Sequence, residues 1–500
     1  MDFLQNLKAS TTVGVTANGS KTFTSSLNAN IDFFGQVGSM RGRPEAVKKL
    51  FWKAYDENKE TALRNLVHLR NIRLGGLGER DSFRAALGHL LDIKDYVALE
   101  MLATNASYTG RWDDLFYIMD HDSEMFKFGI NIIQEQLESD LKNMREGESV
   151  SLLAKWIPNI SAYTWEKRQM AKRIANALGY RDLGKYRRDL SSLRSYLNLI
   201  EVNLASKNYD AIDFEKTPSK AMFKYREALK RHKGDEYALF IEKVLEGKSK
   251  LNASLVMPHE IVQKYEMLGQ KDPVLEATWK SLDNVIGESQ ENIIVVADTS
   301  GSMTANYFGT SVEPYHVAQG LAIYTAERLQ GAFRNHFITF SRRPSLVQLP
   351  EKGSLFSKIE AYNECSIIDD TNIEKVYELI LKTAVDAKMD QSELPTQILI
   401  ISDMEFNEGV SGETNFETAK KNFFEAGYKL PSIIFWNVYA SGSNLPVRFD
   451  ESGAALVSGL STNVLKGVLS GKIDSPEKFM LDTLYKKEYD FVEEGISETI

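Results

Sequence analysis

Apolar residues recur at helical spacing from Pro44 onward and give way to short, continuous β-branched runs only after residue 290. Val47, Leu50, Phe51 and Ala54 follow the i, i+3, i+4, i+7 pattern of one helix face. Phe83, Ala86, Leu87, Leu90 and Leu91 repeat it in a later helix, and Leu190, Leu193, Leu197, Ile200 and Leu204 lie on one stripe further on. Strand-like alternation is absent before residue 290 and no repeat of fixed length is found, so residues 41–290 are expected to be all-α, built as packed helix pairs. Residues 1–40 are small and polar and read as an arm or strap. From residue 292 strands are predicted at 292–297, 335–340, 397–402, 432–439 and 454–457, with helices at 314–330, 372–388 and 415–427. That alternation is the signature of a doubly wound α/β sheet, here assigned to residues 291–460. Residues 461–500 read as an acidic helical tail that docks through Met480, Leu481, Leu484 and Tyr485. The fold class is therefore α plus α/β, in several domains.

One stretch carries chemistry. Ile293 to Ala297 is a run suited to a strand buried on both faces, and it stops at Asp298. Asp298, Ser300 and Ser302 then place oxygen side chains at alternate positions, with Gly301 between the serines free to turn, at the carboxyl end of the strand, where open α/β sheets bind ligands. Hard oxygen donors suit Mg²⁺ or Mn²⁺ rather than a soft metal.

The Asp-x-Ser-x-Ser spacing, continued by Gly-Ser-Met, resembles the metal-ion-dependent adhesion site (MIDAS) of von Willebrand factor A domains. The resemblance implies a Thr in a second loop before a helix and an Asp after another buried strand; Thr371 and Asp403 occupy those places. It further implies that Ser300, Ser302 and Thr371 ligate the ion, that Asp298 and Asp403 hold its waters or bind it, and that a partner's carboxylate completes its coordination. Asp298-Thr299-Ser300-Gly301 departs from the Asp-Thr-Gly of aspartic proteases at Ser300, and no second copy exists. The glycine-rich stretch Gly75-Gly76-Leu77-Gly78 lacks a preceding strand and a Gly-Lys-Ser/Thr ending, which argues against a nucleotide P-loop and for an interhelical turn or an anion contact. His259-Glu260 has no second His at helical zinc-site spacing, and His316 reads as structural.

Charge divides the chain. The net charge of −9 is made up of 42 Lys and Arg against 39 Asp and Glu in residues 1–290, and 18 against 30 in residues 291–500. Residues 155–194 concentrate ten basic residues and three acidic ones, the place where a polyanion would bind. The lone Cys365 excludes an internal disulfide and a cysteine-based zinc site and fits a reducing, cytoplasmic setting. No run of 18 apolar residues and no apolar signal segment occurs, so neither a membrane span nor a signal peptide is predicted.

A basic helical part followed by an A domain resembles the plan of the Ro ribonucleoprotein, whose HEAT-like helical-repeat module, TROVE, binds small noncoding RNAs and the ends of misfolded RNAs. Gly110-Arg111-Trp112-Asp113-Asp114-Leu115, Leu152-Leu153-Ala154-Lys155-Trp156 and the segment from Tyr186 to Arg194 are similar to a largely uncharacterised bacterial, phage and plant family of Ro-like proteins. The Ro resemblance implies that Lys155, Lys172, Arg173, Arg187, Arg188 and Arg194 contact RNA phosphates and that Trp156 or Tyr186 stacks on bases. The function expected is thus an RNA-binding scaffold that recruits a protein through its metal, with no DNA and no membrane partner. The alternative is a metal-dependent protein-binding or assembly factor without RNA. An enzyme is not expected, because no base or nucleophile accompanies the motif loops.

Overall fold

The computed structural model describes residues 10–253, 255–287, 291–305, 308–340, 343–365, 372–407, 414–469 and 473–497. The chain divides into two units, residues 1–86 with 253–490, and residues 87–252 with 491–500. The α plus α/β layout matches the switch in periodicity, but the division differs from one at residues 40, 290 and 460. Residues 10–86, 253 and 255–287 fold with the α/β sheet, and the helix Phe491–Ser497 folds with the helices.

The N-terminal segment is more than an arm, and strands do occur before residue 290. Strands β1 (Val13–Val15) and β2 (Lys21–Phe23) form an antiparallel hairpin. The helix Ala29–Gln36 follows, started by the Asn28 side chain accepting from the Ile31 amide at 3.0 Å. Seven of its eight residues are buried, against the strand Ala454–Ser458 and the helix Pro44–Glu57, so it lacks a polar face. Burial of Ile31, Phe33, Phe34 and Val37 contributes roughly 6–12 kcal/mol before chain entropy is counted.

The main sheet runs β5-β4-β3-β6-β7-β8. Its strands are β3 (Ile293–Asp298), β4 (His336–Phe340), β5 (Leu346–Gln348), β6 (Gln397–Ser402), β7 (Ser432–Asn437) and β8 (Ala454–Ser458). All pair in parallel except the short edge strand β5, which is antiparallel to β4. All six residues of β3 and of β6 are buried, as strands covered on both faces require. The helices at Pro314–Arg328, Ile373–Ala387 and Asn415–Glu425 stand close to their sequence-based bounds. Pro314–Arg328 is sandwiched between β3 and the helix Pro258–Leu268 and is buried almost all round from Val317 to Ala326. The second helix comes so close at Gly320 that a Cβ there would stand 2.8 Å from the His259 amide nitrogen.

Among the described residues the other unit is helical apart from a bridge between Pro218 and Asn252, and several of its helices pack in consecutive pairs. Trp112–His121 packs on Ser123–Glu146, with Asp122 ending the first and capping the second through bonds to the Glu124 and Met125 amides at 2.8 and 2.9 Å. Ser219–His232 packs on Gly234–Leu245 in the same way.

Gly320→Ala should therefore strain the α/β unit, because the atoms it would meet are backbone and cannot swing aside. A loss of about 1–3 kcal/mol is expected by urea unfolding, the usual cost of overpacking; an unchanged midpoint would mean that the helices can move apart freely.

Candidate functional site

Parallel pairing of β3 with β6 builds the site. Ala297 stands opposite Ile401 in the ladder, so Asp298 and Asp403 emerge from neighbouring strands at the same, carboxyl end of the sheet. Asp298 is fully buried and Asp403 is 3% exposed. The Ser402 hydroxyl donates to Asp298 Oδ2 at 2.6 Å and the Ser300 amide donates to Asp298 Oδ1 at 2.9 Å, which folds the loop back over the strand end. Ser300 Oγ and Ser302 Oγ lie 3.0 Å apart, and the Ser302 hydroxyl also hydrogen-bonds the Asp403 carboxylate. Asp298, Ser300, Ser302 and Asp403 are thus brought together. Thr371 lies outside the described residues.

The electrostatics of this pair are unfavourable without a counter-charge. Burial raises the Asp298 carboxyl above its ordinary range, against three hydrogen-bonding influences that lower it. Burial, and then the neighbouring Asp298 charge, push Asp403 up to about 7. The two hydroxyls and two carboxylates gathered at the ends of β3 and β6 form a donor set of hard oxygens, which a small divalent cation would satisfy while offsetting both charges. Among the described residues no group of three or more His, Cys, Asp and Glu side chains is placed to hold a metal, so hydroxyls are needed to complete any such site.

The N-terminal hairpin braces the third loop of the site. The Asp403 carboxylate accepts from the Glu405 amide at 3.1 Å, and Glu405 is itself buried. Glu405 accepts from the Ala17 amide at 2.8 Å, from Ser441 Oγ at 2.5 Å and from Asn444 Nδ2 at 2.8 Å. Asn18 Nδ2 donates to the Glu405 carbonyl at 2.6 Å and Thr16 Oγ1 to the Phe406 carbonyl at 2.5 Å. Sequence pattern gives no sign of this contact, which joins residues almost 400 positions apart.

The basic segment lies in the helical unit, and there the arginines and lysines read from sequence separate. Arg194 is internal: its guanidinium donates to the Ala154 and Ile157 carbonyls at 2.7 and 3.0 Å, closing the short helix Leu153–Trp156. Tyr186 is fully buried and donates to the Pro158 carbonyl at 2.8 Å, which removes it as a stacking platform. Trp156 carries the Arg111 guanidinium on its ring, 4.4 Å from the centroid. Lys155 lies 3.5 Å from Glu201, Arg173 lies 3.7 Å from Asp120 and over Phe126, and Arg188 lies 3.1 Å from Asp182. Lys172 and Arg187 are exposed. Two aromatics escaped the sequence reading, Tyr163 at 98% and Trp165 at 62% exposure. Trp165 was legible in principle. It stands five and nine residues before Met170 and Ile174, which puts it opposite the buried stripe of the helix Trp165–Ala177.

Fold and site together define a protein with an all-helical unit and an α/β unit that bears a buried pair of carboxylates at the carboxyl ends of adjacent parallel strands. Residues 16–99 and 125–298 match a family described as a domain of unknown function (DUF2828), a little more than half of the chain, and the chain belongs to that family. Residues 292–497 match a second domain of unknown function (DUF7788). The chain is also similar to an uncharacterized protein of Acanthamoeba polyphaga mimivirus, 29% identical over 94% of this chain and 86% of that protein.

The Asp403 shift sets a pH dependence with a definite sign. A carboxyl whose pKa is raised in the folded protein keeps its proton where the unfolded chain has released it, so stability falls as pH rises between the two values. With EDTA present, the urea midpoint should decline from the ordinary carboxyl range near about 4 up to about 7, and the decline should shrink in Asp403→Asn. Parallel profiles for wild type and variant would show that Asp403 ionises normally.

Proposed function

We propose that the α/β unit is a von Willebrand factor A-type domain whose Asp298, Ser300, Ser302, Thr371 and Asp403 take a Mg²⁺ or Mn²⁺ ion, and that the protein is a metal-dependent binding or assembly factor. The observation that carries the reading is the pair of buried carboxylates, both raised in pKa, beside two hydroxyls at the carboxyl ends of β3 and β6. A bound ion would supply a Lewis-acidic position for a carboxylate of a protein partner. Asp298 is already oriented for this by Ser402 and the Ser300 amide, and Ser302 bridges toward Asp403. Among the described residues no helix is long and apolar enough to cross a membrane.

Asp298→Ala tests the site. Wild type should gain thermal stability with increasing Mg²⁺, by mass action on the folded state alone. The variant should fold, give no Mg²⁺-dependent shift, and lose capture of any partner that wild type retains in Mg²⁺ but not in EDTA. A Mg²⁺ response equal to that of wild type removes the site.

A second reading, a Ro-like scaffold that also holds RNA, is favoured by the exposed aromatics of the helical unit rather than by Arg194 or Tyr186. Trp165, Arg168 and Lys172 follow i, i+3, i+7 spacing along one helix, and Tyr163 stands just before it. An exposed ring flanked by cations suits a single strand, whose bases stack while its phosphates meet the charges. In anisotropy titrations with a fluorescent oligouridine, Trp165→Ala should weaken binding by about 1–3 kcal/mol, the usual worth of one stacked base. Lys172→Glu together with Arg187→Glu should flatten the dependence of affinity on salt. Binding by both variants equal to wild type at every salt concentration would leave the protein-binding reading alone.

A further inference from the structure

A cavity of about 290 Å³ opens in the α/β unit at the carboxyl end of β8, three strands away from the strand that bears Asp298. Its apolar walls include Leu77 and Val457 and the rings of Phe34 and Phe479, whose centroids stand 6.3 Å apart. His68 stacks on Phe34 with centroids 5.6 Å apart, and burial, helped by the nearby Lys486 charge, holds its pKa down to about 3. The imidazole is therefore neutral and belongs with the apolar walls.

The polar side chains of the lining are already committed. Ser458 Oγ donates to the Phe34 carbonyl at 2.9 Å, Thr483 Oγ1 to the Phe479 carbonyl at 2.9 Å, and Asn463 Nδ2 to the Ile72 and Gly76 carbonyls at 2.9 and 3.0 Å. What remains for a ligand is apolar surface and charge. Arg73, Lys466 and Lys486 line the cavity against the single carboxylate of Glu488. Lys466 and Lys486 are exposed, and neither enters an ion pair among the described residues. The glycine-rich turn after Arg73, which carries no P-loop signature, supplies Leu74 and Gly75 to the lining.

We propose that this cavity binds a small organic phosphate no larger than a mononucleotide, its apolar body against Phe34 and Phe479 and its phosphate toward Arg73, Lys466 and Lys486. Lys466 and Lys486 stand against one carboxylate, and a phosphate, with several charged oxygens, can accept from both ammonium groups at once. The volume sits at the small end of ligand pockets, and apolar walls with a few charged groups are their usual construction. The carboxyl end of a parallel strand is also where such sheets take ligands.

AMP is the probe, used in EDTA at constant ionic strength so that the carboxylate site contributes nothing. Thermal shift and calorimetric titration should show saturable AMP binding. Inorganic phosphate should bind more weakly for want of an apolar body, and adenosine should give no shift. Exchanging both exposed lysines, Lys466→Ala with Lys486→Ala, should weaken AMP at least tenfold while the ligand-free melting temperature holds. Thr483→Phe fills the cavity without changing its charge and should abolish binding. Asp298→Ala should bind AMP as wild type does, which keeps this test apart from that of the metal site. No AMP binding at millimolar concentration, adenosine binding as tightly as AMP, or undiminished AMP affinity in either cavity variant would overturn the proposal.

Discussion

Two carboxylates buried side by side set the terms for the α/β unit. Carboxylates buried together cost free energy unless protons or a cation neutralise them. In this chain the parallel pairing of β3 with β6 forces them together, since Asp298 and Asp403 leave their strands at the same level of the sheet. The surrounding hydrogen bonds orient the pair without neutralising it: Ser402, the Ser300 amide and Ser302 donate, yet both carboxyls remain raised. Local stability is lower there than two ordinary carboxyls would leave it, and perturbed carboxyls of this kind cluster at functional sites.

That condition demands a rigid frame, and the frame comes from the far end of the chain. Asp403 is fixed through Glu405, and Glu405 is fixed by the hairpin turn at Thr16–Asn18 and by Ser441 and Asn444. The hairpin is anchored in turn by reciprocal backbone bonds between Phe23 and Leu445, at 3.0 and 2.9 Å, and by Arg448 lying 3.8 Å over the Phe23 ring. The helix Ala29–Gln36 then seals β8, with Ser458 Oγ donating to the Phe34 carbonyl and accepting from the Gly38 amide. Bringing together segments almost 400 residues apart costs loop-closure entropy that these contacts must offset.

Much of this was legible in the sequence, for physical reasons that also explain the misses. Strands β3, β6 and β7 announce themselves because a strand covered on both faces is a continuous apolar run, and Asp298 and Asp403 stand out as charges that end such runs. Strands β1, β2 and β5 have three residues each, too few for a period. The helix Ala29–Gln36 hides because almost every position is buried, which erases the polar face by which helices are recognised. Tyr186 could have been placed in the core from its spacing to Leu190 and Leu193, i, i+4, i+7, all three being fully buried. Arg194 could not, since a guanidinium that closes a helix on backbone carbonyls leaves no mark on hydrophobic pattern.

The two family matches meet near residues 292–298, whereas the structural units exchange chain after residues 86, 252 and 490. Neither matched segment alone therefore holds a complete α/β unit. A fragment beginning at residue 292 would keep the whole sheet and every sequence-assigned metal residue, yet it would lack the Ala17 amide that meets Glu405 and the helix that covers β8. Glu405 would keep Ser441 and Asn444 but lose the Ala17 amide, and the apolar residues of β8 that the helix Ala29–Gln36 covers would face water. A sequence match thus delimits what is recognisable in each segment, while the burial of Glu405 and of Phe34 delimits what can stand folded, and the carboxylate pair belongs to the second.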